Sequence, residues 1–290
     1  MVLGSGGARG LTHIGIIRCL EERGIEISYI AGSSIGALIG GIYAAGKLDD
    51  YADWVKALRR RDIVRLMDWS FSRGAVLRGD RIIGVLRDLV GDHRIEELDI
   101  GFTAVATEIN ERREVWLNRG PLFEAIQASI AMPLVFAPVE RNGMLLVDGG
   151  LINPIPIAPT LNDDTPHTIA VDLNARPEAV AEKEDDDDDE ESDSPLREAI
   201  VGFLETLKPD MIKTKEKESY PSAFELALRS LDTMQTTISR MKLAAYAPRK
   251  VIDIPRNLAT LFEFDRAEEL IQFGYERARK LLDREEFAER

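Results

Sequence analysis

The pentapeptide at residues 32–36, Gly-Ser-Ser-Ile-Gly, separates a β-branched run at residues 25–31 from an apolar stretch with the composition of a buried helix. These flanks predict a strand before the pentapeptide and a helix after it, so the backbone must turn sharply there. A Gly-x-Ser-x-Gly turn, or nucleophile elbow, strains its central serine, and its glycines let strand and helix approach closely. The alternative is a helix start that only caps the helix, and the flanks favour the elbow. The candidate nucleophile is Ser34, with Gly32 and Gly36 as the elbow glycines.

The order of predicted elements near the amino terminus indicates the fold class. A short apolar segment at residues 1–3 precedes apolar residues at helical spacing from Leu11 to Leu20, and the strand and helix around the elbow follow. Strand–helix–strand–helix alternation predicts an α/β fold with a mostly parallel central sheet and helices on both faces. Further strand-like segments include residues 144–147 and 167–173.

Charge is distributed unevenly and divides the chain into three predicted parts. Of the net charge of −14, −9 falls on residues 182–193, which leaves −5 on the rest. This acidic run has no aromatic or β-branched residue, which is typical of disorder, and it lacks the glycine turns of a calcium site. The mild acidity elsewhere argues against a nucleic-acid partner. We predict a catalytic core at residues 1–175, an acidic insert at 176–195, and helices with a last strand packing on the same domain at 196–290.

Composition also suggests a compartment. Cys19 is the single cysteine, so no disulfide forms within the chain, which is typical of a reducing environment. No segment is long and apolar enough to span a bilayer, and no signal peptide is visible. These features predict a cytoplasmic location. The apolar residues at helical spacing in residues 194–207 favour a packed helix, and a peripheral contact with the inner membrane face stays an open alternative. Nothing in the sequence indicates an oligomeric state.

A serine nucleophile needs a base, and Asp148 is the candidate. It ends an apolar strand and precedes Gly149 and Gly150, which clear space around its carboxylate. Alone, Asp-Gly would more simply be a turn. A second alternative is a Ser34–Asp148–His167 triad, which has the chain order of α/β-hydrolases. That fold places several strands before its elbow, however, and His167 precedes an apolar strand where a histidine is unremarkable.

The glycine-rich segment at residues 4–10, Gly-Ser-Gly-Gly-Ala-Arg-Gly, opens the first predicted helix. Backbone N–H groups at Gly6 and Gly7 in such a loop can stabilise an oxyanion. The competing interpretation is a dinucleotide-binding loop, which needs Gly-x-Gly-x-x-Gly. Counted from Gly4, the sixth position is Arg9, and the second strand lacks the terminal acid that such a site requires. Both departures argue against nucleotide binding.

Together these blocks resemble the patatin-like phospholipases, in particular their bacterial and archaeal branch and the catalytic domain of neuropathy-target-esterase-like proteins. The likeness rests on residues 4–15, 128–138 and 147–156, with a weaker one at 247–275, and it spans most of the chain apart from the acidic insert. The resemblance implies a three-layer α/β/α sandwich. By position it implies Ser34 as nucleophile, Asp148 as the base that takes its proton directly, an oxyanion hole from Gly6, Gly7, Ala8 and Arg9, and an Asp-Gly-Gly block completed by Gly149 and Gly150.

The resemblance also implies an activity. It is hydrolysis of acyl esters in phospholipids, lysophospholipids or related lipids through an acyl-serine intermediate, with a lipid or acyl-ester substrate and with no cofactor or metal. One departure is Ser5, where many members have a third glycine; a backbone donor survives that change. The alternative function is that of a non-catalytic regulatory protein on the same fold. The presence of the nucleophile, the base and the oxyanion loop in one chain disfavours it.

Overall fold

The structure is a computed structural model, and it describes residues 1–66, 68, 77–161, 165, 167–178 and 222–284. Most of the predicted acidic insert and the whole amphipathic segment at residues 194–207 lie outside the described residues. No helix in the described part of the chain is long and apolar enough to cross a membrane.

One sheet of eight strands organises the described residues, in the order β5-β6-β3-β2-β1-β7-β8, with β4 paired to β3. Strands β3, β2, β1, β7 and β8 are mutually parallel, whereas β4, β5 and β6 join by antiparallel pairing. The strands are β1 Val2–Leu3, β2 Tyr29–Ser33, β3 Gly101–Glu108, β4 Arg113–Leu117, β5 Val139–Arg141, β6 Met144–Asp148, β7 Ile169–Ala175 and β8 Lys250–Pro255.

Helices lie on both sides of this sheet, so the predicted α/β/α architecture with a mostly parallel sheet is confirmed. Leu3 faces the main apolar core, which α1, α2 and α8 cover, and its neighbour Val2 faces a second cluster to which α7 contributes Leu243. The α-helices of the described residues are α1 Thr12–Glu22, α2 Ile35–Ala44, α3 Leu48–Ala57, α4 Arg60–Arg65, α5 Asp80–Val90, α6 Leu122–Ser129, α7 Ala223–Tyr246 and α8 Ala267–Arg284.

The carboxyl-terminal elements share the core of the amino-terminal ones. Ile254 of β8 and Leu270 of α8 are fully buried in the same cluster as Ile17 of α1 and Leu3 of β1. Burial of apolar surface is the main favourable term in folding, so these elements stabilise one another across the whole described chain.

Two local differences from the sequence expectations have simple causes. Strand β2 begins at Tyr29 and not at Ile25, because Ile25 donates its N–H to the Leu20 carbonyl, 3.0 Å away, and closes the turn after α1. Strand β5 was not expected. It forms a hairpin with β6 through Asn142 and Gly143, whose positive φ angles of 50° and 76° suit the tight turns that join antiparallel strands.

Candidate active site

Strand β3 brings the two candidate catalytic segments together. On one edge, β2 runs parallel to β3 and ends where Ser33 pairs with Val105. The antiparallel β6 ends where Asp148 pairs with Ala106, the next residue of β3. Since β4 pairs with β3 over both of these positions, it occupies the other edge, so β2 and β6 share one edge and meet end to end. Ser34 follows directly from β2 and therefore lies beside Asp148.

The turn at Ser34 has the strained geometry of an elbow. Ser34 has φ 55° and ψ −126° and stands at the N-cap of α2. A non-glycine residue with positive φ is uncommon and marks a functional constraint where the surroundings hold it. The flanking glycines are needed for space: a Cβ on Gly36 would lie 2.1 Å from the Leu3 carbonyl oxygen, and one on Gly32 would lie 2.4 Å from the Gly36 carbonyl oxygen.

The Ser34 hydroxyl donates to Asp148 Oδ2 at 2.6 Å, and both residues are buried. The other carboxylate oxygen, Oδ1, accepts the Gly150 N–H at 2.6 Å. Burial is the largest influence on this carboxyl and raises its pKa to about 6, against the lowering effect of the two hydrogen bonds. Gly149 is packed against the Val105 carbonyl, where a Cβ would lie 2.0 Å from the oxygen. Asp148 is therefore an oriented carboxylate, ionised at neutral pH, in contact with the serine.

A buried serine, Ser129, holds the elbow in place through two hydrogen bonds. Ser129, at the end of α6, accepts the Ser34 backbone N–H at 3.0 Å and donates its own hydroxyl hydrogen to the Val105 carbonyl at 2.6 Å. It thus ties the elbow to β3. Sequence reasoning did not single out Ser129, although it lies in the block at residues 128–138 that carries the family resemblance.

The glycine-rich loop approaches the same site. Gly7 has φ 58° and lines the same pocket as Ser34. Within the described residues, no hydrogen-bond acceptor is found for the backbone N–H of Gly6 or of Gly7. The Ala8 N–H, in contrast, donates to the Leu261 carbonyl at 3.0 Å, so it is already engaged. Of the predicted oxyanion donors, Gly6 and Gly7 are the ones that the described part of the chain leaves without an acceptor.

Arg9 contributes its side chain as a brace for this loop. The guanidinium is buried and donates to the Gly6 carbonyl at 3.2 Å and to the Arg256 carbonyl at 2.6 Å. It also pairs with Asp232 of α7 at 3.1 Å and reaches Asn174 Oδ1 at 3.5 Å. The loop is thereby held to three segments that are distant in sequence. Nothing in the sequence indicated Asp232, because α7 has ordinary helical periodicity.

An apolar pocket extends from Ser34 between α2, α3, α5 and the segments around residues 132 and 262. It leaves about 180 Å³ for the centres of water-sized molecules. Asp68 also lines it, but its carboxylate accepts the N–H groups of Gly79 and Asp80 at 2.8 Å and so caps α5. The remaining lining is mainly aliphatic and aromatic, including Leu38, Val55, Ile82, Leu86, Val135 and Phe262.

His167 lies far from this site. Val2 pairs with both Ala170 and Ala31, so these positions are level across the parallel strands. His167 precedes Ala170 by three residues, and Ser34 follows Ala31 by three. Six strand residues correspond to roughly 20 Å. His167 contacts Arg249 at 2.8 Å and does not reach Ser34 or Asp148, so the triad alternative lacks its histidine.

The other two histidines also have structural neighbours. His13 is fully buried in α1, where its Nε2 lies 3.0 Å from the Gly4 carbonyl oxygen, and burial lowers its pKa to about 4. His93 Nε2 lies 3.0 Å from the Val90 carbonyl oxygen. Among the described residues, no group of three or more His, Cys, Asp or Glu side chains is arranged to hold a metal ion.

A layered α/β/α sheet with a serine elbow facing a carboxylate at a strand end defines an α/β protein of the nucleophile-elbow class. A family model described as patatin-like phospholipase matches residues 1–161, more than half of the chain. The chain therefore belongs to the patatin-like phospholipase family, as the sequence resemblance implied.

Individual relatives extend the match. An uncharacterised NTE family protein of Mycobacterium tuberculosis is 38% identical over 328 residues, which cover 98% of this chain and 91% of that protein. Lysophospholipase NTE1 of Candida glabrata is 33% identical over 165 residues, 54% of this chain and 9% of its own length. The crystal structure of VipD from Legionella pneumophila aligns with 97% of this chain and 66% of its own, with a TM-score of 0.47 and 13% identity.

Proposed function

We propose that this protein is a serine acyl hydrolase that cleaves ester bonds of phospholipids, lysophospholipids or related lipids. The observation that carries the proposal is the 2.6 Å hydrogen bond from the Ser34 hydroxyl to Asp148, formed at the end of an apolar pocket that Ser34 lines. Membership of the patatin-like phospholipase family and the name lysophospholipase of one relative support it.

In the first half-reaction, Asp148 takes the Ser34 proton and the serine oxygen bonds to the ester carbonyl carbon. The negative charge that develops on the carbonyl oxygen is stabilised by the N–H groups of Gly6 and Gly7, preorganised by the Arg9 brace. When the tetrahedral intermediate collapses, the bond to the alcohol breaks, and the alcohol leaves with the proton held by Asp148. The acyl group stays on Ser34. Water then releases the acid in the second half-reaction.

The environment suits Asp148 to this role. A general base works best when its pKa is close to the operating pH, and burial raises the pKa of Asp148 from about 3.8 to about 6. The carboxyl is then mostly ionised at pH 7, yet basic enough to share the serine proton. Its second oxygen is fixed by Gly150, so the carboxylate keeps one orientation throughout the cycle.

The substrate class follows from the pocket. Aliphatic and aromatic side chains line nearly all of it, which suits a hydrocarbon chain whose ester group rests at Ser34. We place the enzyme in the cytoplasm, acting on lipids at a membrane face. The single cysteine, Cys19, which is buried and free, supports this location.

Fluorophosphonate labelling followed by peptide mapping tests the proposal directly. We expect the wild type to be labelled at Ser34 and to hydrolyse p-nitrophenyl esters and lysophospholipid. Ser34→Ala should lose both labelling and turnover while remaining folded, and Ser33→Ala is the matched control that should keep both. Labelling that persists in Ser34→Ala would contradict the assignment. A folded wild type that is inert to short and long acyl esters would favour the non-catalytic alternative.

A further inference from the structure

The candidate dyad separates two cavities. The large apolar pocket is lined by Ser34 but not by Asp148, and a second, smaller cavity is lined by Asp148 but not by Ser34. Met132 and Leu261 line both, so the two cavities are neighbours. If the acyl chain occupies the large pocket, the small cavity is the space next to Asp148 that the chain does not fill.

Helix α7 supplies two of the three polar side chains that line the small cavity. Asp232 and Gln235 are three residues apart and therefore lie on one face of the helix. Asp232 is already bound to Arg9 of the oxyanion loop at 3.1 Å. Gln235 Oε1 accepts the Ser5 hydroxyl at 3.5 Å, and no acceptor for its side-chain amide N–H₂ is found among the residues that the structure describes. The cavity thus combines carboxylate acceptors with an amide donor.

The volume of the cavity fits one small molecule. It leaves about 10 Å³ for the centre of a water-sized molecule, against about 180 Å³ in the acyl pocket on the same measure. About 10–15 Å³ on such a measure is enough to hold one water, which also needs two to four polar partners. Asp148, Asp232 and Gln235 supply that number.

We propose that this cavity seats the water that hydrolyses the acyl-enzyme, and that Gln235 is the positioning residue for that water. The inference rests on the proposed function. The water oxygen bonds to the acyl carbonyl carbon, and one water proton passes to Asp148. The bond from that carbon to the Ser34 oxygen then breaks, Ser34 recovers its proton from Asp148, and the carboxylic acid leaves. Gln235 donates to the water oxygen and aims it at the carbon.

In this arrangement the hydrolytic water and the acyl chain occupy different cavities and do not compete for space. The acyl group excludes solvent from the Ser34 side, and a separate water position on the Asp148 side keeps the nucleophile in contact with its base. Holding a nucleophile in a near-attack position contributes strongly to rate, and a displacement of about 1 Å costs on the order of 100-fold. Loss of the Gln235 amide should therefore slow the second half-reaction selectively.

The test measures how much enzyme is acylated during turnover. Wild type, Gln235→Met and the control Gln272→Met, a helical glutamine on α8 that bonds Glu276, are mixed with p-nitrophenyl butyrate. Each reaction is quenched in acid at steady state, and intact mass gives the acylated fraction. We expect Gln235→Met to turn over at least about 10-fold more slowly and to hold a larger acylated fraction than wild type. Gln272→Met should match wild type in both.

Fluorophosphonate labelling at Ser34 counts the correctly folded sites in each variant and corrects both readouts. An acylated fraction in Gln235→Met equal to or below that of wild type would overturn the proposal, because a residue of purely structural importance lowers acylation as well. Unchanged turnover in Gln235→Met would overturn it too. If the wild type neither labels nor forms an acyl-enzyme at Ser34, the proposed function fails, and this inference fails with it.

Discussion

Ser34 and Asp148 are 114 residues apart in the chain, yet the serine hydroxyl donates to the aspartate carboxylate at 2.6 Å. Their meeting depends on β3, which pairs with the parallel β2 and then with the antiparallel β6 along one edge. The contact is therefore built into the hydrogen-bond register of the sheet.

Activity should depend on the ionisation of Asp148. In the proposed reaction the carboxylate form of Asp148 accepts the serine proton. Since burial raises the pKa of this carboxyl to about 6, kcat/KM should fall tenfold per pH unit below about pH 6 and level off above it. A pH profile with a soluble ester checks this. Asp172 is the control: burial also raises its pKa to about 6, so Asp172→Asn should leave the acid limb in place. A limb centred near pH 4 would contradict the assignment.

Asp148→Asn should remove turnover and stabilise the fold at neutral pH. The pKa of Asp148 is higher in the folded chain, about 6, than in the unfolded chain, about 3.9. The folded state therefore binds more protons between these values, and stability is lost as pH rises through that window. By pH 7 the loss approaches 3 kcal/mol, at about 1.4 kcal/mol per unit. Thermal unfolding should show a higher Tm for the variant than for the wild type at pH 7, and no such gain below pH 4. Equal gains in Tm at the two pH values would show that ionisation of Asp148 does not destabilise the fold.

Ser129→Ala should weaken both the fold and the reaction. It leaves the Ser34 N–H and the Val105 carbonyl without their partner, at a cost of about 1–3 kcal/mol, and it frees the elbow to move. We expect kcat to fall roughly 10-fold with KM little changed. Ser33→Ala is the matched control, because Ser33 is equally buried and its hydroxyl has no partner among the described residues. Urea unfolding and steady-state kinetics compare the two variants. Equal effects would show that Ser129 does not hold the elbow in place.

Arg9→Lys should loosen the oxyanion loop although it keeps the charge. A lysine ammonium cannot reproduce the planar fork that reaches the Gly6 and Arg256 carbonyls together with Asp232. We expect a loss on the order of 2 kcal/mol in the free energy of unfolding and a lower kcat. Arg229→Lys, on the exposed side of α7 and paired with Glu225, should cost less than about 0.5 kcal/mol. Denaturant titration measures the free energy of unfolding of both variants. Similar losses in the two would show that Arg9 does not stabilise the loop.

Ile82→Trp should shorten the acyl chains that the enzyme accepts. Ile82 lines the apolar pocket, and the larger ring occupies space that a long hydrocarbon chain would need. We expect kcat/KM for p-nitrophenyl palmitate to fall relative to that for p-nitrophenyl butyrate. Ile109→Trp, at a surface position that is 40% exposed and does not line the pocket, is the control. A proportional fall for both esters would indicate that the pocket does not bind the chain.

Sequence patterns predicted much of the fold because they are local. Helical spacing in α1, the β-branched run before Ser34 and the apolar strand before Asp148 each depend on neighbours within a few residues. The start of β2 was misplaced by four residues, because the turn after α1 takes up Ile25. The hairpin at Asn142 and Gly143 was missed although its dipeptide is a strong turn signal.

The sequence by itself determined the α/β class, the family and the candidate pair of Ser34 and Asp148. The patterns that indicate them, glycine spacing and the ends of apolar strands, each lie within a few consecutive residues. Only the tertiary structure decided that His167 lies at the opposite end of the parallel strands from Ser34 and that the Ala8 N–H is bound to Leu261. It also decided that Ser129, Asp232 and Gln235 join the site. Those three belong to helices whose patterns are ordinary, and their placement depends on packing between segments up to 230 residues apart.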